Sequence, residues 1–215
     1  MSEEKVSSEQ PRHPRDSSAT IKRILAAARE EFGNNNGFDG TKVEHIARRA
    51  KVSKQLVYLY FNGKEDLYAE LAKEIARTAH ERLLAIDYDS LDPFDAIRAY
   101  VEGVYDFFLH DQLIGLVAID QSLHDGAHIR VPRETRLMQE RLIAKLDAAL
   151  LRGRTSGQFG DHFDVHALEF MTLIIVTGCV SSLEMFERYV GRSAEPDLAI
   201  GRDTAVTFIL RALRA

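Results

Sequence analysis

Apolar residues recur at helical spacing along most of the chain, and turn residues cut the pattern into segments. Ile21, Leu25, Ala28 and Phe32 share one stripe and predict a first helix from Ser17. Gly33 and the run Asn34-Asn35-Asn36-Gly37 end it, because Gly and Asn tolerate left-handed backbone at a helix terminus. Thr41-Lys42-Val43-Glu44 reads as a capping box and opens a short second helix to about Ala50, with Val43, Ile46, Ala47 and Ala50 on its buried face. Lys51-Val52 is a tight connection, and Ser53 caps a third helix to about Phe61. Asn62, with Glu65 three residues on, offers the cap of a fourth helix from Lys64 to about Ile86, which carries Leu67, Leu71, Ile75, Ala79 and Leu83.

The second part of the chain continues in the same way. Asp92-Pro93 joins a cap to an N1 proline and starts a helix to about His110. Gln112–Leu123 and Pro132–Arg152 follow. After the Gly/Ser loop Arg154–Asp161 comes the long apolar segment Phe163–Tyr189, and Glu195-Pro196 starts a last helix. No segment reads as a convincing strand. The expected fold is all-α, with about nine helices in three parts. Residues 1–16 form a polar, disordered arm, 17–63 a helix-turn-helix domain, and 64–215 a larger helical domain. Arg12, His13 and Arg15 give the arm a basic character suited to a minor groove, although an inert tail is the simpler reading.

Composition changes the picture in two respects. The single cysteine, Cys179, excludes an internal disulfide and fits a reducing cytoplasm. The net charge of −5 is unevenly spread: residues 1–64 balance at +4 and 65–215 at −9. Between 41 and 64 stand Lys42, Arg48, Arg49, Lys51, Lys54 and Lys64 against one acid, Glu44. Such asymmetry hints at a nucleic-acid face on the N-terminal part. The longest uncharged apolar stretch, Phe170 to Leu183, is too short to span a bilayer, and the polar N-terminus lacks the apolar core of a signal peptide. A cytoplasmic protein with no membrane segment is expected.

Two short helices with a tight turn between them, the second capped by Ser, follow the helix-turn-helix plan. The start of the second helix would enter the major groove, which places Ser53, Lys54, Gln55 and Leu56 at the base edges. Lys can donate to guanine, Gln pairs bidentately with adenine, and an apolar side chain can touch a thymine methyl. Tyr58 and Tyr60 can donate to phosphates. Lys42, Lys54 and Lys64 each fall in the first turn of an expected helix, where a cation opposes the helix dipole. An anion docked at each helix end would account for all three.

The stretch Thr20 to Leu71 resembles the DNA-binding domain of the TetR family of repressors. ILAAAREEF, GFDGT, VEHIARRAKVSKQLVYLYF and KEDLYAEL carry the likeness, with Thr41, Ile46-Ala47, Ala50, Val52-Ser53, Tyr58, Tyr60-Phe61, Lys64 and Leu67 at the family's positions. The resemblance implies that Thr41, Tyr58 and Lys64 bind phosphate, that Tyr60 makes a backbone or packing contact, and that Lys54, Gln55 and Leu56 read bases. Three departures stand out. Lys51 occupies the place of the usual turn glycine, so the turn is expected to keep its path in a right-handed conformation. Gln55-Leu56 and Leu59 replace residues frequent in the family and change which bases are read. The Phe32-to-Gly37 connection is one residue longer than usual.

The same resemblance implies a homodimer through the last two helices, a palindromic double-stranded DNA operator, and a small-molecule effector bound among the helices after the DNA domain. Tyr100, Tyr105, Phe108, Gln121, His124, Phe170 and Thr177 are candidates to line that pocket, with core packing as the plainer role for each. Asp120, His124 and His128, and the pair His162 and His166, have ligand-like spacing, but Gly126 interrupts the first set and no metal is expected. No cofactor is expected. A glycine-rich phosphate loop, G-x-S-x-G and H-E-x-x-H are all missing, so an enzyme is not expected. The function read from the sequence is a repressor released by a small organic effector. The alternative is a chromosome-organising or division-control DNA-binding protein on the same fold.

Overall fold

A computed structural model describes residues 14–34, 37–123, 131–182, 188–189 and 198–214. Among them are nine helices and no strand: α1 Pro14–Asn34, α2 Val43–Arg49, α3 Lys54–Tyr60, α4 Lys64–Leu84, α5 Pro93–Leu109, α6 Gln112–Leu123, α7 Arg133–Thr155, α8 Val165–Ser181 and α9 Leu198–Ala212. The first helix begins three residues before the expected start, inside the stretch expected to be disordered. The expected start of the last helix at Glu195-Pro196 lies outside the described residues. So do the Asp125–Arg130 segment and the arm residues Arg12 and His13.

The N-terminal helices close on a small core. Ile24, Ala28 and Phe32 of α1 meet Val43, Ile46 and Ala47 of α2, Val57 of α3 and Leu67 of α4, all buried. Phe32, Phe38 and Tyr68 pack ring to ring, Tyr68 meeting the other two edge-on at 5.1 and 5.2 Å. Arg49 of α2 pairs with Glu30 and with the buried Glu31 of α1, which locks the two helices at their surface.

The caps settle two boundaries against expectation. Lys42, not Thr41, is the residue before α2, and no side chain caps that helix. Gly63, not Asn62, precedes α4 at φ 147°, a conformation that suits a residue without Cβ. Elsewhere the expected caps form: Ser53 Oγ accepts from Leu56 N at 3.1 Å, and Asp92 accepts from Phe94 N ahead of Pro93. Asp164 caps α8 by accepting from Ala167 N.

Lys51 departs from the expected right-handed turn. Its φ is +54°, left-handed, and it is the only described residue other than glycine with positive φ. The hydrogen bonds explain this. Val52 N donates to Ala47 O at 3.0 Å and Lys51 N to Arg48 O at 3.1 Å, the doubly bonded helix ending that requires a left-handed residue between cap and exit. The turn keeps the glycine geometry, and lysine bears the strain.

α4 runs from this N-terminal core into the second one. α5 is central there, packed by α4, α6, α7, α8 and α9. Ile97, Val101, Leu142, Leu146, Leu168 and Val176 are buried among these helices. Arg202 of α9 holds Asp106 of α5 with two bonds of 2.7 and 3.0 Å. The outer face of α8 and α9 is apolar and uncovered in the single chain: Phe170 is 62% exposed, Phe208 61% and Ile174 49%. No described helix is long and apolar enough to cross a membrane.

Candidate nucleic-acid interface

The tight left-handed turn at Lys51 sets α3 beside α2. Val57 anchors α3 in the core while Ser53, Lys54, Gln55, Tyr58 and Leu59 stand exposed. The helix therefore presents an exposed face of one turn and a half. Gln55 and Leu59 are four residues apart, hence on one face, and Leu59 is 68% exposed. Leu56, expected at the base edges, is half-buried, and Tyr60 is half-buried against the core. The sequence marks Leu59 as a departure from the family that changes which bases are read, but places Leu56, not Leu59, at the base edges. An apolar residue i+4 from an exposed Gln was the signal available.

The cationic residues divide into two groups. Lys54 pairs with Glu44 of α2 and lies 5.7 Å from the centre of the Tyr58 ring. This raises the lysine above its usual proton affinity and lowers the carboxylate, the side-chain hydrogen bond being the main cause in both. The pair is exposed, where solvent screens the attraction, so a phosphate or base can replace Glu44. Lys64 turns inward: Nζ donates to Phe38 O at 2.9 Å and sits 4.0 Å from the Phe38 ring centre. Its place at the start of α4 is explained by that internal contact without an anion. The side chains of Lys42, Arg48 and Lys51 are exposed and make no hydrogen bond or ion pair among the described residues.

Thr41 does not fit the phosphate role. It is 1% exposed, and its hydroxyl lies 3.1 Å from Glu31 O and 3.0 Å from Gly37 O. Its one proton is shared between these two carbonyls, which ties the start of α2 to the end of α1.

The expected effector residues do not gather at one site. Tyr100, Tyr105 and Phe108 are buried on α5, Phe170 faces outward on α8, and Thr177 is half-buried. Burial next to Glu169 pushes the Tyr100 phenol well above its usual range. The Tyr105 phenol approaches α9 so closely that a Cβ on Gly201 would meet its oxygen at 2.6 Å. The side chain of Gln121 and all of His124 lie outside the described residues. The buried hydroxyls of Tyr88, Thr172 and Thr177 have no hydrogen-bond partner among the described residues. A groove of about 1030 Å³ opens elsewhere, between α1, α4, α5 and α6, over Ile21, Leu25, Ile75 and Phe107.

Besides α4, helix α6 also joins the two parts. Asp111 caps α6, accepting from Leu113 N at 2.9 Å, and the same carboxylate pairs with Arg29 of α1. Leu116 of α6 faces Gly37, at 4.0 Å from where its Cβ would stand. Asp120, two turns on from Leu113, stands beside the buried Tyr68 hydroxyl on α4. Desolvation, with this carboxylate beside it, pushes that phenol far up.

A helix-turn-helix with an exposed, Ser-capped reading helix, mounted on a larger helical body, defines a DNA-binding transcription regulator of the two-part, all-helical class. Residues 24–71 match the family model of bacterial regulatory proteins, tetR family, and residues 93–206 match the tetracyclin repressor-like C-terminal domain. The chain belongs to the TetR family.

Among curated relatives, the transcriptional repressor NicS of Pseudomonas putida is 28% identical over 139 residues, 64% of this chain and 65% of that protein, so this match spans just under two thirds of it. The transcriptional repressor SCO4008 of Streptomyces coelicolor is 29% identical, covering 82% of this chain and 86% of its own. Among solved structures, a tetR-family regulatory protein from Rhodococcus RHA1 aligns at a TM-score of 0.68 with 18% identity, over 91% of this chain and 97% of that one. The regulator FadR of Bacillus subtilis, in complex with stearoyl-CoA, aligns at 0.63 with 21% identity, over 90% and 99%.

Proposed function

We propose that the protein is a dimeric repressor that reads a palindromic operator through α3 and is released by a small organic effector. The observation that carries the reading is the α3 face, where Gln55 and Leu59 project from a helix anchored by Val57. Gln pairs with adenine N6 and N7, and Leu fits the thymine 5-methyl, so the pair suits a half-site containing adjacent A·T pairs. Ser53 and Lys54 lie beside them at the base edges. Tyr58, Lys42, Arg48 and Lys51 reach phosphates and set register. Lys64 and Thr41 act from within, holding the ends of α1 and α2 and the start of α4.

The dimer reading rests on the uncovered apolar face of α8 and α9, since an apolar patch of this kind marks a protein contact. Two-fold symmetry then gives half-sites about 34–36 Å apart. The effector reading rests on the family and on the unpartnered hydroxyls of Thr172 and Thr177 in an otherwise apolar interior. Such groups call for a mostly apolar ligand with a few hydrogen-bonding atoms. The domain division follows the same logic: a DNA unit to about residue 63, then a sensing and dimerising unit. α6 is the joint. An effector that favours another position of α6 would move α1 through Asp111–Arg29 and α4 through Asp120–Tyr68, and it acts only by its difference in affinity between the two positions.

Fluorescence anisotropy on DNA flanking the gene, in a salt series, tests the reading. Tight binding with a steep salt slope, weakened by Gln55→Ala, is expected. Weak, sequence-blind binding unchanged by that variant would overturn the assignment of α3. Dispersed genomic sites rather than a few near one operon would favour the chromosome-organising alternative.

A further inference from the structure

The groove between α1, α4, α5 and α6 lies at the seam of the two parts of the molecule. One wall is a single face of α1 from Ser17 to Arg29, about 18 Å of helix. The other wall is α4 from Leu71 to Arg82, and Phe107 and Ile114 close the remaining side. Ile21, Leu25, Leu71, Ile75, Phe107 and Ile114 make its floor apolar. Its volume of about 1030 Å³ is at the upper end of what small-molecule sites enclose. The shape is long, so it suits an elongated molecule.

The charged groups around the groove sort by whether they are already balanced. Asp111 caps α6 and holds Arg29. Lys22 and Glu74 are exposed, one on each wall, and offset each other in charge. Arg82 is left over. Its guanidinium lies 5.5 Å from the centre of the Phe107 ring, above the apolar floor, and it makes no ion pair among the described residues. Its neighbour Glu81 is taken by Arg77. The hydroxyl side chains Ser18 and Thr78 line the same groove. A guanidinium resting on an aromatic face is held in place and still offers its N–H fork to a carboxylate. The chain before this wall does not suit the floor: residues 1–13 carry only Met1, Val6 and Pro11 as apolar side chains.

We propose that this groove is a ligand site in its own right and takes an elongated organic carboxylate, with the hydrocarbon part on Ile21, Leu25, Ile75 and Phe107 and the carboxylate on Arg82. Charge decides the class. A neutral hydrocarbon leaves Arg82 without a counter-charge, and an amine is repelled by it. The site stands apart from Thr172 and Thr177, neither of which lines the groove. α1 belongs to the DNA-binding part, and α5 and α6 belong to the larger body. A molecule seated between them touches both, and it biases their relative placement by its difference in affinity between the placements. That consequence for DNA rests on the regulator reading above, whereas the site does not.

The test uses the full-length protein without DNA, so that the site can fail or stand by itself. The probe is decanoate below its micelle concentration, with decan-1-ol and decylamine as uncharged and cationic counterparts. In methyl NMR spectra, decanoate should shift Ile21, Leu25, Ile75 and Ile114 and leave Leu173 and Ile174 on the exposed face of α8 unmoved. Decanol and decylamine should bind at least about tenfold more weakly, because a hydrogen bond between charged groups is lost. Arg82→Gln should bind decanoate no better than the unaltered protein binds decanol. Ala26→Trp, which sets a large side chain into the groove from α1, should abolish the shifts. Both altered positions are exposed, so both variants should fold. Equal affinity for the three probes, decanoate binding unchanged in the two variants, or shifts confined to α8 would overturn the proposal.

Discussion

At the scale of single residues, the two exposed side chains of α3 and the left-handed lysine make separate demands. Leu59 has no packing role to explain it, so Leu59→Ala should leave the fold intact and weaken operator binding. Replacing operator thymines one at a time by uracil, which removes the 5-methyl, should mimic that loss at one position and add nothing further in Leu59→Ala. Gln55→Ala should cost about 1–3 kcal/mol of discrimination at one A·T pair. Equal effects at every position would show a phosphate contact in place of base reading. Lys51 sits at φ +54° without being glycine, a conformation that costs about 1 kcal/mol or more for a residue with Cβ. Lys51→Gly should therefore raise the melting temperature by about 2–4 °C, whereas Lys51→Ala should not.

At the scale of elements, the contacts of α6 and the close approach at the end of α7 are the places where one change reaches far. Asp111 does two jobs, capping α6 and holding Arg29. Asp111→Ala should cost about 1 kcal/mol through the lost cap alone, with any ion-pair loss on top. Arg29→Ala removes only a half-exposed pair and should cost less than about 1 kcal/mol. Denaturant unfolding of the two variants separates these terms. In the regulator reading, Arg29→Ala should also reduce the effect of the effector on DNA affinity while leaving effector binding intact. Gly153 of α7 faces the Phe159 ring so closely that a Cβ would lie 2.0 Å from it, and Phe159 in turn packs on Phe94 of α5 at 5.0 Å between ring centres. Gly153→Ala should destabilise by at least about 1–3 kcal/mol, because overpacking there shifts α5 and α7 together.

At the scale of the whole molecule, the uncovered face of α8 and α9 decides the assembly. Carboxylates placed at Ile174 and Phe208 by Ile174→Glu and Phe208→Glu would sit in the proposed contact and repel across the two-fold axis. Sedimentation equilibrium should find the double variant monomeric with its helical content kept. Its operator affinity should fall by more than a hundredfold, because one half-site alone gives up the second set of base contacts. A stable dimer in the double variant would move the interface elsewhere on the surface.

The sequence by itself determined the helices and the reading helix, because both depend on neighbours a few residues apart. The apolar stripe through Ile24, Ala28 and Phe32, the Ser53 and Asp92 caps and the Asp92-Pro93 start are local physics, and the fold class follows from them. The family pattern in Thr20 to Leu71 located α3 for the same reason. Tertiary structure decided what each side chain does once placed. Thr41 has the chemistry of a phosphate ligand, but burial commits its hydroxyl to Glu31 O and Gly37 O. Lys64 has the charge of a phosphate contact, but the carbonyl and ring of Phe38 stand within reach, 26 residues away in sequence. Lys51 takes the left-handed turn because the bonds from Val52 to Ala47 and from Lys51 to Arg48 outweigh the local cost of its Cβ. Tyr100, Tyr105 and Phe108 lie together on α5, yet Phe170 of the same expected pocket faces outward, since α8 is apolar all round and only packing selects which side is covered. Spacing along the chain fixes which residues share a helix face. What that face meets depends on residues far away in sequence, and only the folded arrangement brings them together.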